Sequence, residues 1–457
     1  MEISKLYFKE KFNYFIDNPI SIVPLVSFRI VWGLLLFIST TRFILLGWID
    51  DQYIQPQIHF AYYGFEWVKP LSTIGLYMVF GGMIISAIGI ILGCFYRIAS
   101  ILFFLCFTYI ELLDISYYLN HYYFVSIISF IMIWLPANKY FSIDTLIKPS
   151  IKKILIPAWC INVLKLQLMI VYFYAGLAKI NTEWLFNAMP LKIWLPAHTD
   201  IPLIGTLFQY PITAYAFSWM GMIYDITIPF FLVWKTSRPW AFLAIIVFHC
   251  LTGVLFQIGV FPIVMIFAAT IFFSNNLHLK ILNTLNQYVL FSKEKFNLSS
   301  FAITVNPTRG IIKILLIGFF IFQLIFPWRY MLYPGNLFWT EEGYRFSWRV
   351  MLMEKAGTAT FFVKDSITKR EGVVDNSQFL NLHQEKQMAF QPDMILQYAH
   401  FLYHYFKDQG VRNPEVRAEI YVTLNGKPSR LFIDPNVNLA LVKDGWKHKD
   451  WILALDE

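Results

Sequence analysis

The chain has 457 residues, of which 57% are hydrophobic and 14% charged, with a mean hydropathy of +0.53. Soluble domains carry roughly 25% charged residues, so this composition excludes an ordinary water-soluble protein of two or three domains. The net charge of +8 does not point to nucleic acid, because Lys and Arg sit in separate short loops and form no single basic face.

The polar N-terminus, MEISKLYFKEKFNYFIDNP, lacks a signal-peptide layout, so the first apolar block reads as an uncleaved anchor. Apolar blocks follow near 21–48, 74–93, 98–114, 120–136, 154–178, 211–234, 240–255, 258–274 and 311–327. A spanning helix needs about 20 apolar residues, so these read as about nine spans, with a re-entrant pair near 240–274 as the alternative for the shorter blocks. One set of alternate loops carries fourteen Lys and Arg, from Lys5 and Arg97 through Lys152, Lys153 and Arg238 to Arg309. The opposite set carries Lys69, Lys179 and Lys192. The positive-inside rule puts the first set, and the N-terminus, in the cytoplasm.

From about residue 328 the chain changes character. Thr358–Lys364 and Ala418–Leu424 alternate as strands do, and Asn425-Gly426 before Arg430-Leu-Phe-Ile signals a hairpin. The stretch from Pro392 has helical periodicity and ends at Gly410. The expected fold is therefore an α-helical polytopic membrane protein (residues 1–327) with a C-terminal β-rich extracytoplasmic domain (328–457). All four cysteines, Cys94, Cys106, Cys160 and Cys250, lie in or beside the apolar blocks, so the C-terminal domain has no internal disulfide. With no CxxC or Cys/His cluster, no metal site is expected.

Ionisable residues gather near the outer ends of the spans: Glu111, Asp114, Asn120-His121, Lys179 and His249, with Asp225 deeper. Charge at membrane depth is costly and by default marks function. Lys179 follows Tyr172-Phe-Tyr-Ala-Gly-Leu-Ala. Burial there disfavours the ammonium form, and a neutral amine is a base; the opposing reading is a lysine snorkelling from a helix end. His121 either polarises a substrate or caps its helix, and His249 reads first as a satisfied core histidine. Glu111 and Asp114, three apart on one helix face, resemble a metal or proton pair, against a solvated helix end. Arg29 and Arg42 read as structural, pairing with internal carboxylates or reaching the interface. Tyr117, Tyr118, Tyr122, Tyr123, Tyr172, Tyr174, Trp184 and Trp194 suit an interfacial belt or a flat, lipid-soluble ligand. No Walker loop, GxGxxG, HExxH or GxSxG is present.

Five stretches carry a resemblance: Tyr118-Leu-Asn-His-Tyr-Tyr-Phe, Tyr174-Ala-Gly-Leu-Ala-Lys-Ile-Asn-Thr-Glu-Trp, Phe248-His-Cys, Gln257-Ile-Gly-Val-Phe-Pro and Trp339-Thr-Glu-Glu-Gly-Tyr-Arg-Phe-Ser-Trp-Arg-Val-Met-Leu. Pro392-Asp-Met, Gln397-Tyr-Ala-His and Asp434-Pro435 extend it into the tail. In this order they resemble the vitamin K-dependent gamma-carboxylase family, and the membrane part resembles the horizontally transferred transmembrane (HTTM) domain.

The resemblance implies a carboxylase, formally a carbon–carbon lyase. It would couple oxygenation of a naphthohydroquinone to its epoxide with carboxylation of a protein glutamate. Its cofactors would be reduced vitamin K (menaquinol or phylloquinol), O2 and CO2, and its partner a Glu-containing polypeptide. It carries the base lysine onto Lys179, the Asn-His pair onto Asn120 and His121, the Phe-His onto Phe248 and His249, and a tyrosine onto Tyr344. Tyr117, Tyr122, Tyr174, Trp184 and Tyr344 are the candidate quinone-binding residues. No side chain is basic enough to take a γ-proton from glutamate, whereas an amine at position 179 suffices for a phenol-like hydroxyl near pKa 10. The chain departs from animal members at Ala178, where they carry a lysine, and in its short, cysteine-free tail, which excludes their inter-domain disulfide. These features point to a bacterial inner membrane with a periplasmic C-terminal domain. Two alternatives remain: a hydroquinone epoxidase without carboxylation, and a non-catalytic quinone-binding protein or transporter. Against the transporter, no internal repeat is apparent.

Overall fold

The computed structural model describes residues 16–256, 258–289 and 310–455. Lys5, Lys9, Lys11, Lys293, Lys295 and Arg309 of the charge pattern lie outside these residues, as does Gln257 of the fourth stretch above.

The membrane region is built from α1 (Val23–Leu45), α2 (Thr73–Leu92), α3 (Tyr96–Leu113), α4 (Asn120–Trp134), α5 (Trp159–Ala178), α6 (Pro211–Val233), α7 (Arg238–Phe256), α8 (Phe261–Ala269), α9 (Asn275–Val289) and α10 (Gly310–Ile325). Among the described residues seven helices are long and apolar enough to span: α1, α2, α3, α5, α6, α7 and the stretch Gly310–Leu332 that contains α10. The expected nine are not all of this kind. The 258–274 block breaks, and Phe261–Phe272 meets Asn275–Gln287 at 116°, an eighth span if the bent pair is counted as one. The cause lies in the sequence, since polar Ser274-Asn275-Asn276 interrupts the apolar run. α4 has only 15 residues, nine of them buried, so it is a core helix of the bundle.

Arg29 shows how the bundle copes with a buried cation. It is 1% exposed and donates to the carbonyls of Ala137 (3.0 Å), Ile91 (3.3 Å) and Phe141 (2.6 Å), not to the carboxylate expected. Gly93 permits this: its φ is +62°, and a Cβ there would lie 2.4 Å from Arg29 Nη1.

A two-stranded ribbon, β1 (Pro19–Ser21) with β2 (Leu155–Pro157), joins the N-terminal ends of α1 and α5. The C-terminal domain is an antiparallel sheet in the order β4-β3-β5-β6, where β3 is Lys355–Asp365, β4 Glu371–Val373, β5 Pro414–Leu424 and β6 Arg430–Leu431. β3 and β5 pair along their whole length, from Lys355↔Leu424 to Asp365↔Pro414. Alternate residues of β5 are buried (Val416, Ala418, Ile420, Val422, Leu424), under α11 (Leu382–Met388) and α12 (Pro392–Asp408). Gly410, at φ +93°, closes α12 in a Schellman motif, with Val411 N–H on Phe406 O and Gly410 N–H on Lys407 O. Asn425 and Gly426 both take positive φ (51° and 73°), as the hairpin signal predicts. Lys427 N–H closes the turn on Leu424 O, and strand pairing resumes at Val422↔Arg430.

The outer domain sits on the bundle through buried hydrogen bonds. Gln384 Nε2 donates to Asp114 Oδ2 and to Ile58 O (both 2.8 Å), and Asp114 Oδ1 caps Ser116 N–H. Gln397 bonds both backbone groups of Ala61, and Tyr117 stacks on His383 at 4.6 Å. All four cysteines are free, so side-chain amides and rings join the two parts.

Candidate functional site

Lys179 stands at the C-terminal end of α5 and is 7% exposed. It does not snorkel. Its Nζ lies 2.6 Å from Asp225 Oδ2 on α6, donates to Ala175 O at 3.2 Å, and sits 5.5 Å from the centre of the Trp184 ring. Glycine makes this approach possible: a Cβ on Gly176 would lie 2.5 Å from Ile226 Cγ1 and 2.7 Å from Ile226 N. Asp225 is itself 4% exposed, so both members of the pair lie in dry surroundings.

Two turns earlier on the same face of α5, Tyr172 Oη is hydrogen-bonded to His249 Nε2 of α7 at 2.9 Å. The His249 ring lies 6.1 Å from Phe261, and Phe261 stacks on His121 at 5.6 Å. A continuous path of ring contacts therefore joins the core histidine to the histidine opening α4. His249 is a satisfied core histidine at Nε2, while its Nδ1 is buried with no partner among the described residues.

His121 lines a cavity of about 620 Å³ at the boundary between bundle and outer domain. Asn120, Tyr122, Phe261, Arg42, Tyr344 and Arg349 face the same space. Arg42, expected to be purely structural, thus lines a cavity while its guanidinium packs over Trp48. Asn120 is anchored at both ends of its amide: its Nδ2 donates to Arg349 O at 2.9 Å and its Oδ1 accepts from Tyr118 Oη at 3.1 Å. It positions the segment carrying Tyr344. That segment is unusual, with Glu341, Phe346, Trp348 and Met351 all at positive φ, a conformation rare outside glycine and concentrated at functional sites. Phe346 N–H on Tyr118 Oη (2.8 Å) and the Arg345–Asp393 ion pair (2.5 Å) pin it. Burial raises the Tyr344 phenol above its ordinary pKa, so its hydroxyl keeps its proton.

The predicted residues thus divide. Asn120, His121, Tyr122 and Tyr344 share one cavity. Lys179 and Trp184 form a second cluster with Asp225, and neither lines that cavity. Tyr117 lies outside it, accepting from Asn381 Nδ2 at 2.9 Å. Tyr174 joins helices, donating to Leu324 O and accepting from Trp328 Nε1. Glu111 and Asp114 are not a solvated helix end: Asp114 is the inter-domain clamp, and Glu111 accepts from Ser126 Oγ at 2.5 Å. Among the described residues no group of three His, Cys, Asp or Glu is placed to hold a metal. Sequence reasoning missed Asp225 as the partner of Lys179 and Tyr172 as that of His249. The available signal was one carboxylate and one lysine in successive spans.

These features define a polytopic helical membrane protein whose intramembrane polar groups lie beneath an extramembrane β-rich domain. Residues 17–277 match the HTTM domain, and residues 308–457 match the vitamin K-dependent gamma-carboxylase lumenal domain. The chain belongs to the vitamin K-dependent gamma-carboxylase family. No solved structure matches it.

Proposed function

We propose that the protein is a gamma-glutamyl carboxylase-like membrane enzyme that oxidises a naphthohydroquinone to its epoxide and carboxylates a glutamate of a polypeptide. The observation that carries this reading is the buried Lys179–Asp225 pair, 2.6 Å apart, in a chain of this family. Such a pair is costly to bury and gains its use by moving a proton. With the proton on Asp225 Oδ2, Lys179 Nζ is a free amine able to take up another. With the proton on Nζ, Asp225 stabilises the ammonium.

The donor set of the 620 Å³ cavity fits a flat diphenol. Phe43, Trp48 and Phe261 offer apolar faces, and His121, Tyr122 and Tyr344 offer polar contacts to its oxygens. When bound, the hydroquinone and O2 together supply the strong base that no side chain provides. His121 orients the ring and favours negative charge on its oxygens. The outer domain excludes water and so protects both base and carbanion. The Tyr172–His249–Phe261 contacts tie the lysine helix to this cavity and hold the two clusters in fixed relation. We place the N-terminus in the cytoplasm and the outer domain, as a unit from about residue 328, in the periplasm of a bacterial inner membrane.

The test uses purified protein, reduced vitamin K, O2, labelled bicarbonate and a Glu-rich peptide. Both epoxide and labelled peptide are expected. Epoxide without label would replace the reading with a hydroquinone epoxidase, and neither product would overturn it.

A further inference from the structure

A second cavity, of about 640 Å³, lies on the other side of the Glu341–Arg345 segment and plays no part in the mechanism above. Its membrane end is walled by phenylalanines of three helices, Phe104, Phe130, Phe319 and Phe322 among them. Its mouth reaches the charged groups of the outer domain. Between the two ends sits a small polar cluster.

The polarity of that cluster is set by its hydrogen bonds. Thr108 Oγ1 donates to Ser126 Oγ (3.5 Å), and Ser126 Oγ donates to Glu111 Oε2 (2.5 Å). Every proton in this chain points toward the carboxyl, whose other oxygen, Oε1, is buried with no partner among the described residues. The other acids lining the cavity each have a basic partner within 4 Å: Glu341 has Lys355, Glu342 has His448, Asp393 has Arg345 and Asp444 has Lys449. Glu111 has none. One turn along α4 from Ser126, Tyr123 Oη accepts from Gln323 Nε2 at 2.9 Å, which leaves its own proton to give. Residues three apart on a helix are neighbours, so Tyr123 and the Ser126 that donates to Glu111 lie on one face of α4, and Glu111 and Tyr123 both line the apolar chamber. A buried polar atom without a partner is destabilising, and a ligand that supplies the partner recovers that loss.

We infer that this cavity is a second ligand site, for a lipid-phase alcohol or phenol whose hydroxyl donates to Glu111 Oε1 and accepts from Tyr123 while its tail lies against the phenylalanines. A phosphate head is disfavoured beside an unpaired carboxyl. The inference does not rest on the carboxylase reading, since it concerns binding and not turnover.

Equilibrium binding to the full-length protein in detergent tests it, with two pairs of labelled probes. One pair is dioleoylglycerol and its O-methyl ether; the other is a prenylated naphthohydroquinone and its dimethyl ether. Each ether keeps the shape and loses the donor. In at least one pair the hydroxyl form should bind about tenfold more tightly than the ether. In Glu111→Leu a preference in the first pair should vanish and one in the second should fall to what the His121 cavity supplies; both should shrink in Tyr123→Phe, and Phe130→Trp should weaken both members by filling the chamber. Preference within the first pair identifies a hydroxylated membrane lipid; a preference in the second pair alone that depends on Glu111 identifies a second quinol. Equal binding of alcohol and ether in both pairs, or preferences that Glu111→Leu leaves unchanged, overturns the inference. Tyr123→Phe keeps the test available should the Glu111 variant not fold.

Discussion

Lys179 Nζ and Asp225 Oδ2 lie 2.6 Å apart on neighbouring spans, each side chain under a tenth exposed. Breaking such a pair leaves an uncompensated buried charge, which costs about 3–5 kcal/mol, whereas replacing both partners by apolar groups is often neutral. Asp225→Asn and Lys179→Met should therefore each lower thermal stability in detergent markedly. The double variant Lys179→Met with Asp225→Leu should recover most of that loss while remaining inactive. Equal stability of both single variants and wild type would contradict the pairing.

Gly176 sets the approach of α5 to α6. Gly176→Val puts side-chain atoms where Ile226 backbone and side chain already stand, and overpacking of this kind costs about 1–3 kcal/mol. Activity should fall further than stability, because the displaced helix carries Lys179 away from Asp225. A fully active Gly176→Val protein would show that this spacing is not needed.

The outer domain is held by polar contacts in place of a disulfide. Gln384→Ala removes two buried donors at once, from Asp114 and Ile58 O, and should cost about 1–3 kcal/mol at the interface. Limited proteolysis should then release the C-terminal domain faster than from wild type, and unchanged cleavage would contradict the clamp.

Asp393 gives the domain a defined response to acid. Burial alone would raise its carboxyl, but the charge and hydrogen bond of Arg345 outweigh it and hold it below the usual carboxylate range. A carboxyl depressed in the folded state stabilises above its unfolded pKa of about 3.9, and that stability is lost as pH falls through the folded value. Thermal stability of the outer domain should thus drop below about pH 4, and Asp393→Asn, already lacking the pair at neutral pH, should show a smaller drop. Parallel pH profiles for both proteins would contradict the assignment.

Much of this fold is legible in the sequence where one period dominates. The 3.6-residue apolar blocks, the alternation of Ala418–Leu424 and the turn at Asn425-Gly426 each announce an element, and Gly410 ends α12 where expected. The count of spans is not legible. α4 and the 258–274 block are as apolar as true spans, and only tertiary packing distinguishes a short core helix or a broken pair from a full crossing. The site shows the same division. Charge at membrane depth flags Lys179, His121 and Asp225 without saying who pairs with whom, since partners on different helices leave no trace in local spacing. Tyr117 and Tyr174 carry a related ambiguity, because an aromatic ring that holds two elements together has the same sequence signature as one that faces a ligand.

The most direct test of the account compares wild type with Lys179→Ala for hydroquinone binding and for epoxide formation in the same preparation. Binding should persist, because Lys179 lies outside the cavity of His121, while epoxide and carboxylated peptide both fall below detection. Epoxide formed at an undiminished rate without Lys179 would contradict the central role of the buried amine.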